Sequence, residues 1–320
     1  MRVHVMVLDG TFDLGLSAVL DTFGTANDLA RASGKTSPPF VVRLVGVSTR
    51  ARTHQGFTVG LERAERGARP DAIVVPALGA TMPDTLGPAL ERREVRQAGA
   101  LLSAQAKAGT LVAAACTGTF LLAETGLLDG RAATTTWWLS PMFRDRYPRV
   151  DLDDSRMLVK SSGFVTAGAA LAHLDLALFL VRRQSPALAA LTARYLIIEP
   201  RRSQAAYAIP DHLAHSDPLV ERFERWARRN IAARFSLAEA ARAAGASERT
   251  LARRLRATLG RSPLSYVQEL RVERAVHLLQ TTDATVDDVA GEVGYESGVT
   301  LRTLLREKTG RGVRELRRHG

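Results

Sequence analysis

The stretch "LVAAACTGTFLLAETGLL", residues 111–128, decides the architecture of the first part of the chain. A short apolar run ends at Cys116, the only cysteine in 320 residues, and an apolar helix-forming segment follows it. A strand that turns sharply into a helix forms a nucleophile elbow, which exposes its apex side chain at the top of a sheet. The helix start lowers a thiol's pKa there and aims backbone N–H groups at an oxyanion. Cys116 is therefore a candidate nucleophile, a pocket residue, or a small buried hydrophobe.

The same alternation extends outward from this stretch. "VHVMVLD" (3–9), "FVVRLVGV" (40–47), "AIVVPAL" (72–78) and "TLVAAAC" (110–116) read as strands buried on both faces. "DLGLSAVLDTFGTANDLARAS" (13–33), "PALERREVRQAGALLSAQAKAG" (88–109) and "GAALAHLDLALFLVRR" (168–183) carry helical periodicity. Strand–helix alternation predicts a doubly wound α/β domain with a parallel sheet. Open sheets of this kind place ligands at the carboxyl ends of their strands. That rule groups Cys116, Thr117 and Gly118 with Asp13 after the first strand, Gly79 after the third, and Thr136 with Trp137. Asp13 also reads as a helix N-cap, and Trp137 and Trp138 also read as core or dimer contacts.

Hydrophobic residues make up 46% of the chain and charged residues 24%, which is ordinary for a globular protein of two domains. A single cysteine excludes an internal disulfide and fits a reducing compartment. The start "MRVHVMVLDG" reads as a strand, not a signal peptide. No segment approaches the roughly 20 apolar residues of a bilayer span. The expected location is cytoplasmic, without membrane contact. The net charge of +11 suits a polyanionic partner, but it is spread as +6 over residues 1–210 and +5 over 211–320. Only 4 of the 44 basic residues are lysine, so the placement of arginine is more informative than its number.

Between 185 and 218 the periodicity degrades, and "EPRRSQAAYAIPDHLAHSDP" (199–218) marks a linker near 210–217. This divides the chain into residues 1–210 and an all-α domain at 218–320. The second domain contains a repeat. Leu237, Ala240, Ala241 and Ala244 precede Gly245, and Val286, Val289, Ala290 and Val293 precede Gly294. A serine then caps a new helix in each unit, Ser247 and Ser297, and each new helix ends at a glycine, Gly260 and Gly310. Two short helices joined by a tight glycine turn, twice over, predict two helix-turn-helix units. "PLSYVQELRVERAVHLLQ" (263–280) is the helix between them, roughly 25 Å long at the usual rise. That spacing suits adjacent major-groove segments on one face of double-stranded DNA.

With Leu251 and Leu255 turned inward, Arg249, Ala252, Arg253 and Arg256 lie on the opposite face of the first recognition helix. In the second unit Leu301 and Leu305 face inward, and Arg302, Thr303 and Arg306 project. Arginine's fork can bond guanine bidentately, and its charge suits phosphate. Lys308, Arg311, Arg314, Arg317 and Arg318 form a basic tail.

The run from "FSLAEAARAAGASERTLARRLRATLG" (235–260), through "GRSPLSYVQELR", to "VGYES" and "LREKTG" resembles the AraC/XylS family of transcription regulators. By position, that resemblance implies base reading by Arg249, Thr250, Ala252 and Arg253, and by Ser297, Gly298, Val299, Thr300, Arg302 and Thr303. Ser247, Arg256 and Arg306 complete the expected DNA contacts. The family usually has proline three residues after the final glycine, as Pro263 follows Gly260; here Val313 stands there. The surroundings "ACTGTFLLAETGLLDGRAATTTWW" and "VTAGAALAHLDLALFLVRR" resemble the class I glutamine amidotransferase-like, ThiJ/PfpI-type domain of GlxA-type regulators, over roughly residues 1–185.

In active relatives of that domain a histidine partners the cysteine. Here Thr117 follows Cys116, and Thr136 stands where many regulators have histidine. Of the seven histidines, His4 lies in the first strand and His173 on a packed helix. His212 and His215 lie in the linker, His277 and His319 in the helical domain, and His54 has no assigned place. The resemblance implies a non-enzymatic, flavodoxin-like sensor that forms a homodimer and binds a small effector such as an amino acid or amine. Neither a metal nor a cofactor is expected. The rival expectation is a cysteine-dependent amidase or hydrolase tethered to DNA.

Overall fold

The computed structural model describes residues 1–65, 67, 69–199, 201, 203–204 and 217–317. The chain divides into two compact units, Met1–Ala205 and Ala206–Gly320. Of the linker expected near 210–217, residues 210–216, with His212 and His215, lie outside the described residues, as do Arg318 and His319.

In the first unit, β1 (Arg2–Met6), α1 (Asp13–Ala32), β2 (Val41–Gly46), a hairpin of β3 (Arg50–Arg52) and β4 (Thr58–Gly60), and β5 (Glu62–Arg63) come first. Next come β6 (Ala72–Val75), α2 (Pro83–Leu90), α3 (Arg93–Lys107), β7 (Leu111–Ala115) and α4 (Gly118–Glu124). The unit ends with β8 (Ala132–Ala133), α5 (Ser140–Arg146), β9 (Asp151–Leu152), β10 (Leu158–Ser161), β11 (Phe164–Ala167), α6 (Ala172–Gln184) and α7 (Pro186–Tyr195). Among the described residues the main sheet has seven strands in the order β10-β11-β7-β6-β1-β2-β5.

Side chains of a strand alternate between its two faces. Val3 and Val5 of β1, with Val74 of β6 and Ala113 of β7, pack with Phe23 of α1 and Leu176 of α6. Met6, Ile73, Val75 and Val112 pack with Leu86 of α2, Leu102 of α3 and Phe120 of α4. Both faces are therefore covered, as a doubly wound sheet requires.

Three local expectations are corrected. The sheet is mixed, not wholly parallel, because β10 pairs with β11 in antiparallel register. The single helix expected over 88–109 is two helices. Leu86 and Leu90 bury one stripe, and Val95, Ala98 and Leu102 bury another. Five residues separate Leu90 from Val95, which is about 140° around a continuous helix. A break at Glu91–Arg92 lets both stripes face the sheet. The region after 185 is also not featureless. Ser185 caps α7 by accepting the N–H of Leu188 at 3.2 Å, and Pro186 takes the first helical position, where its missing N–H costs nothing.

The second unit contains α8 (Pro218–Arg229), α9 (Leu237–Ala244), α10 (Glu248–Leu259), α11 (Pro263–Thr281), α12 (Val286–Glu292), α13 (Gly298–Thr309) and α14 (Val313–Arg317). The glycine turns are where the sequence places them. Gly245, Gly260, Gly294 and Gly310 all have positive φ. At Gly294 a Cβ would lie 2.7 Å from the carbonyl oxygen of Ala232, so no larger residue fits. The departure at Val313 leaves the last helix intact. Gly312 donates its N–H to Glu315 at 2.7 Å, α14 begins at Val313, and Leu316 is buried.

Candidate functional site

β7 delivers Cys116 to the elbow, and its φ of 54° is left-handed, a conformation rare for a side-chain-bearing residue. The strain is held from three sides. The Cys116 N–H donates to Ala167 O at 3.0 Å. Its carbonyl accepts the Thr135 hydroxyl at 2.8 Å. The hydroxyl of Thr117 donates to Leu78 O at 2.7 Å. Gly118 permits the close approach, since a Cβ there would sit 2.5 Å from the Val75 carbonyl oxygen.

The elbow is present, but its expected exposure is not. Cys116 is 2% exposed, and Thr117 and Thr136 are fully buried. Burial pushes the thiol pKa up to about 11, and hydrogen bonds from Thr117 and Thr136 offset only part of that rise. Desolvation of the fully buried thiol outweighs the help of the helix start. The thiol is protonated at neutral pH, opposite to the activation the elbow suggested. Alkylation of native protein by iodoacetamide should accelerate about tenfold per pH unit beyond pH 9, without the plateau near 9 that an exposed thiol gives. A plateau near pH 9 would contradict this burial.

Thr136 does stand beside the sulfur, where a base would act, but a threonine hydroxyl cannot take a proton at neutral pH. Its hydroxyl meets only the Cys116 thiol, and that of Thr119 has no hydrogen-bond partner within the described residues, although both are buried. His173 is also unavailable. Its Nε2 accepts the Ala77 N–H at 3.1 Å, its Nδ1 lies 2.5 Å from Ala170 O, and burial lowers its pKa to about 4. It is a neutral structural side chain packed against Gly15.

The other expected residues surround the elbow unevenly. Gly79 is buried, and its N–H donates to Gly10 O at 2.6 Å, joining the β6–α2 loop to the β1–α1 loop. Asp13 is not the N-cap of α1, which is Phe12; its carboxylate accepts the Gln55 N–H at 2.9 Å. Trp137 packs edge-to-face on Trp138 at 5.4 Å and is nearly buried. His54, left unplaced by the sequence, has its imidazole against Gly79, where a Cβ would lie 2.2 Å from the ring. The hairpin that carries it is two three-residue strands, too short for a periodicity signal. A separate surface groove of about 330 Å³, lined by Glu124, Asp129, Arg146, Tyr147 and Arg149, lies at the far end of α4.

In the helical unit α10 and α13 are the second helices of the two motifs. Ser247 and Ser297 cap them, accepting the N–H groups of Thr250 and Thr300 at 3.2 and 3.4 Å. Leu251, Leu255, Leu301 and Leu305 are fully buried. Each such leucine stabilises by about 1.5–3 kcal/mol, which fixes the face left outside. Arg249, Arg253, Arg256, Arg302 and Arg306 are exposed, and no ion pair engages them among the described residues. Val299 is 66% exposed, a large apolar side chain on the same helix start. Ala252 is half-buried.

Gly298 departs from the expected reading face. It is buried, its N–H donates to Asp287 at 2.8 Å, and a Cβ would lie 2.6 Å from that carboxylate. Gly298 therefore serves the close approach of α12. In the basic tail, Arg317 is spent on the Ala284 carbonyl.

Residues 1–183 match the DJ-1/PfpI family, more than half of the chain. The chain belongs to that family. Residues 240–319 of this DJ-1/PfpI member match a helix-turn-helix domain family. It is similar to the HTH-type transcriptional regulator GbdR of Pseudomonas aeruginosa, at 28% identity over 70% of this chain and 62% of that protein. It is also similar to the HTH-type transcriptional regulator GlxA of Rhizobium meliloti, at 27% identity over 59% of each chain. The matched stretch thus spans about three-fifths of each relative. An AraC family transcriptional regulator from Pseudomonas putida, known by crystal structure, shares the fold. Its TM-score is 0.51 at 20% identity, over 61% of this chain and 98% of that one. Among the described residues no helix is long and apolar enough to cross a membrane.

Proposed function

We propose that this DJ-1/PfpI member is a sequence-specific DNA-binding transcription regulator whose α/β domain senses a small molecule at the Cys116 elbow. The observation that carries the reading is the pair of capped recognition helices, α10 and α13, each offering unpaired exposed arginines and joined by one rigid helix. In this reading Arg249, Arg253 and Arg302 read base edges, Ser247, Thr250, Ala252, Ser297, Val299, Thr300 and Thr303 line the contact, and Arg256 and Arg306 meet phosphate. A buried threonine hydroxyl against a neutral thiol, with no base beside them, favours a binding site over a catalytic one. The lack of a base at Thr117 and Thr136, and the neutrality of His173, argue against the amidase alternative. The effector class is a small amino acid, amine or related molecule, and the protein acts as a homodimer.

Equilibrium binding of the full chain to a duplex selected from a random library, beside an unrelated duplex, tests this at several salt concentrations. The selected duplex should bind about 10³-fold or more tighter at moderate salt, and Arg306→Ala should reduce the salt slope by about one ion. Equal affinity for both duplexes would overturn the reading.

A further inference from the structure

The α/β unit's described chain ends at Gln204, and this polar side chain is 1% exposed. Its Nε2 donates to Thr135 O at 2.8 Å, with Thr134 Oγ1 and Arg156 O each at 3.2 Å. Its Oε1 accepts the Ala169 N–H at 3.1 Å, and its own N–H donates to Ser155 O at 2.9 Å. Gly168 makes the room, because a Cβ there would lie 2.4 Å from Oε1. An apolar side chain could fill this space, but it would leave the Thr135 carbonyl and the Ala169 N–H without their partner.

The other side of the same threonine run touches the elbow. Thr135 donates its hydroxyl to Cys116 O at 2.8 Å, and the Thr136 side chain meets the Cys116 sulfur. Thr134 is fixed between them, its N–H donating to Thr166 Oγ1 at 2.7 Å. Residues 134–136 are therefore a cover, with the thiol on one side and Gln204 on the other. In the sequence, residues 205–216 then lead to α8 and the helix-turn-helix units.

We propose that Gln204 is a positioning residue that couples closure of the Thr134–Thr136 cover over Cys116 to docking of the chain end leading to the DNA-binding unit. A molecule entering beside the thiol displaces Thr136 and with it Thr135, whose carbonyl is the nearest acceptor of the Gln204 amide. Release of Gln204 frees the chain end. By reciprocity, undocking the chain end opens the cover by the same factor. The inference deepens the effector-site reading, but its test uses no effector, so the two can fail separately.

The only thiol of the full chain is the probe. Iodoacetamide labelling of Cys116 should be at least tenfold faster in Gln204→Ala and in Gly168→Ala than in wild type. Its rate should be nearly independent of low urea, the mark of local rather than global opening. Arg43→Ala, which breaks the exposed 3.0 Å pair with Glu62 at the far edge of the sheet, should leave labelling unchanged. Conversely, an N-ethylmaleimide adduct on Cys116 should raise hydrogen exchange at the amides of Ala169 and Gln204. Wild-type labelling rates in both variants would overturn the coupling. So would acceleration that follows urea as global unfolding does, or unchanged exchange at those two amides in the adduct.

Discussion

Arg271→Met is expected to destabilise the helical unit by about 3 kcal/mol and to weaken operator binding at least tenfold. Arg271 is nearly buried on α11 and makes no ion pair among the described residues; it serves backbone carbonyls instead. Its Nε donates to Ile231 O at 2.9 Å and its Nη2 to Ala233 O at 2.6 Å, both in the segment entering the first motif. Its Nη1 donates to Gly294 O at 3.2 Å, in the turn of the second motif, and its guanidinium lies 5.0 Å from the Tyr295 ring centre. One side chain thus ties both motifs to the helix between them. Methionine keeps much of the volume and removes every donor. Each stranded carbonyl costs about 1–3 kcal/mol, and the relief of a buried charge offsets part of the sum. Urea unfolding followed by circular dichroism measures the first effect and duplex titration the second. An unchanged midpoint together with unchanged affinity would show that these contacts hold nothing.

The second large effect concerns recognition rather than stability. Arg253→Ala and Arg302→Ala should each cost about 1–3 kcal/mol on the selected duplex and relax base preference at one place. Both side chains are exposed, on α10 and α13 respectively, so the fold should tolerate either change. Because they belong to separate motifs, their costs should add in the double variant, a loss of about 30-fold to about 10⁴-fold. Affinity for an unrelated duplex should fall far less. Loss of both affinities in equal proportion would mark these arginines as phosphate contacts only.

The parts of this molecule visible in the sequence were those with local causes. β1, β6 and β7 appear as apolar runs because both sheet faces are covered. The two motifs appear because glycine turns and serine caps recur at fixed spacing, and Leu251, Leu255, Leu301 and Leu305 set which arginines point outward. The elbow at Cys116 was visible for the same reason.

Its burial was not visible. The cover comes from Thr134–Thr136, whose position depends on β11 and Gln204, far away in sequence. Only tertiary packing decides that desolvation of the thiol outweighs the helix start. His54 joins Gly79 through a hairpin whose strands are too short to betray themselves. Nothing local in the sequence marks Arg271 as internal; only three carbonyls from distant turns do so. The family resemblance places Gly298 on the reading face; its missing side chain instead answers to Asp287.

The central claim is that one chain reads two adjacent segments of a duplex, one with each motif. Footprinting of the full chain on its selected duplex tests it most directly, with wild type beside Arg253→Ala and Arg302→Ala. The separation set by α11, about 28 Å for its 19 residues, predicts two protected major-groove segments about one helical turn apart. Arg253→Ala should lose protection in one segment and Arg302→Ala in the other. A single protected segment, or the same segment lost in both variants, would contradict the account.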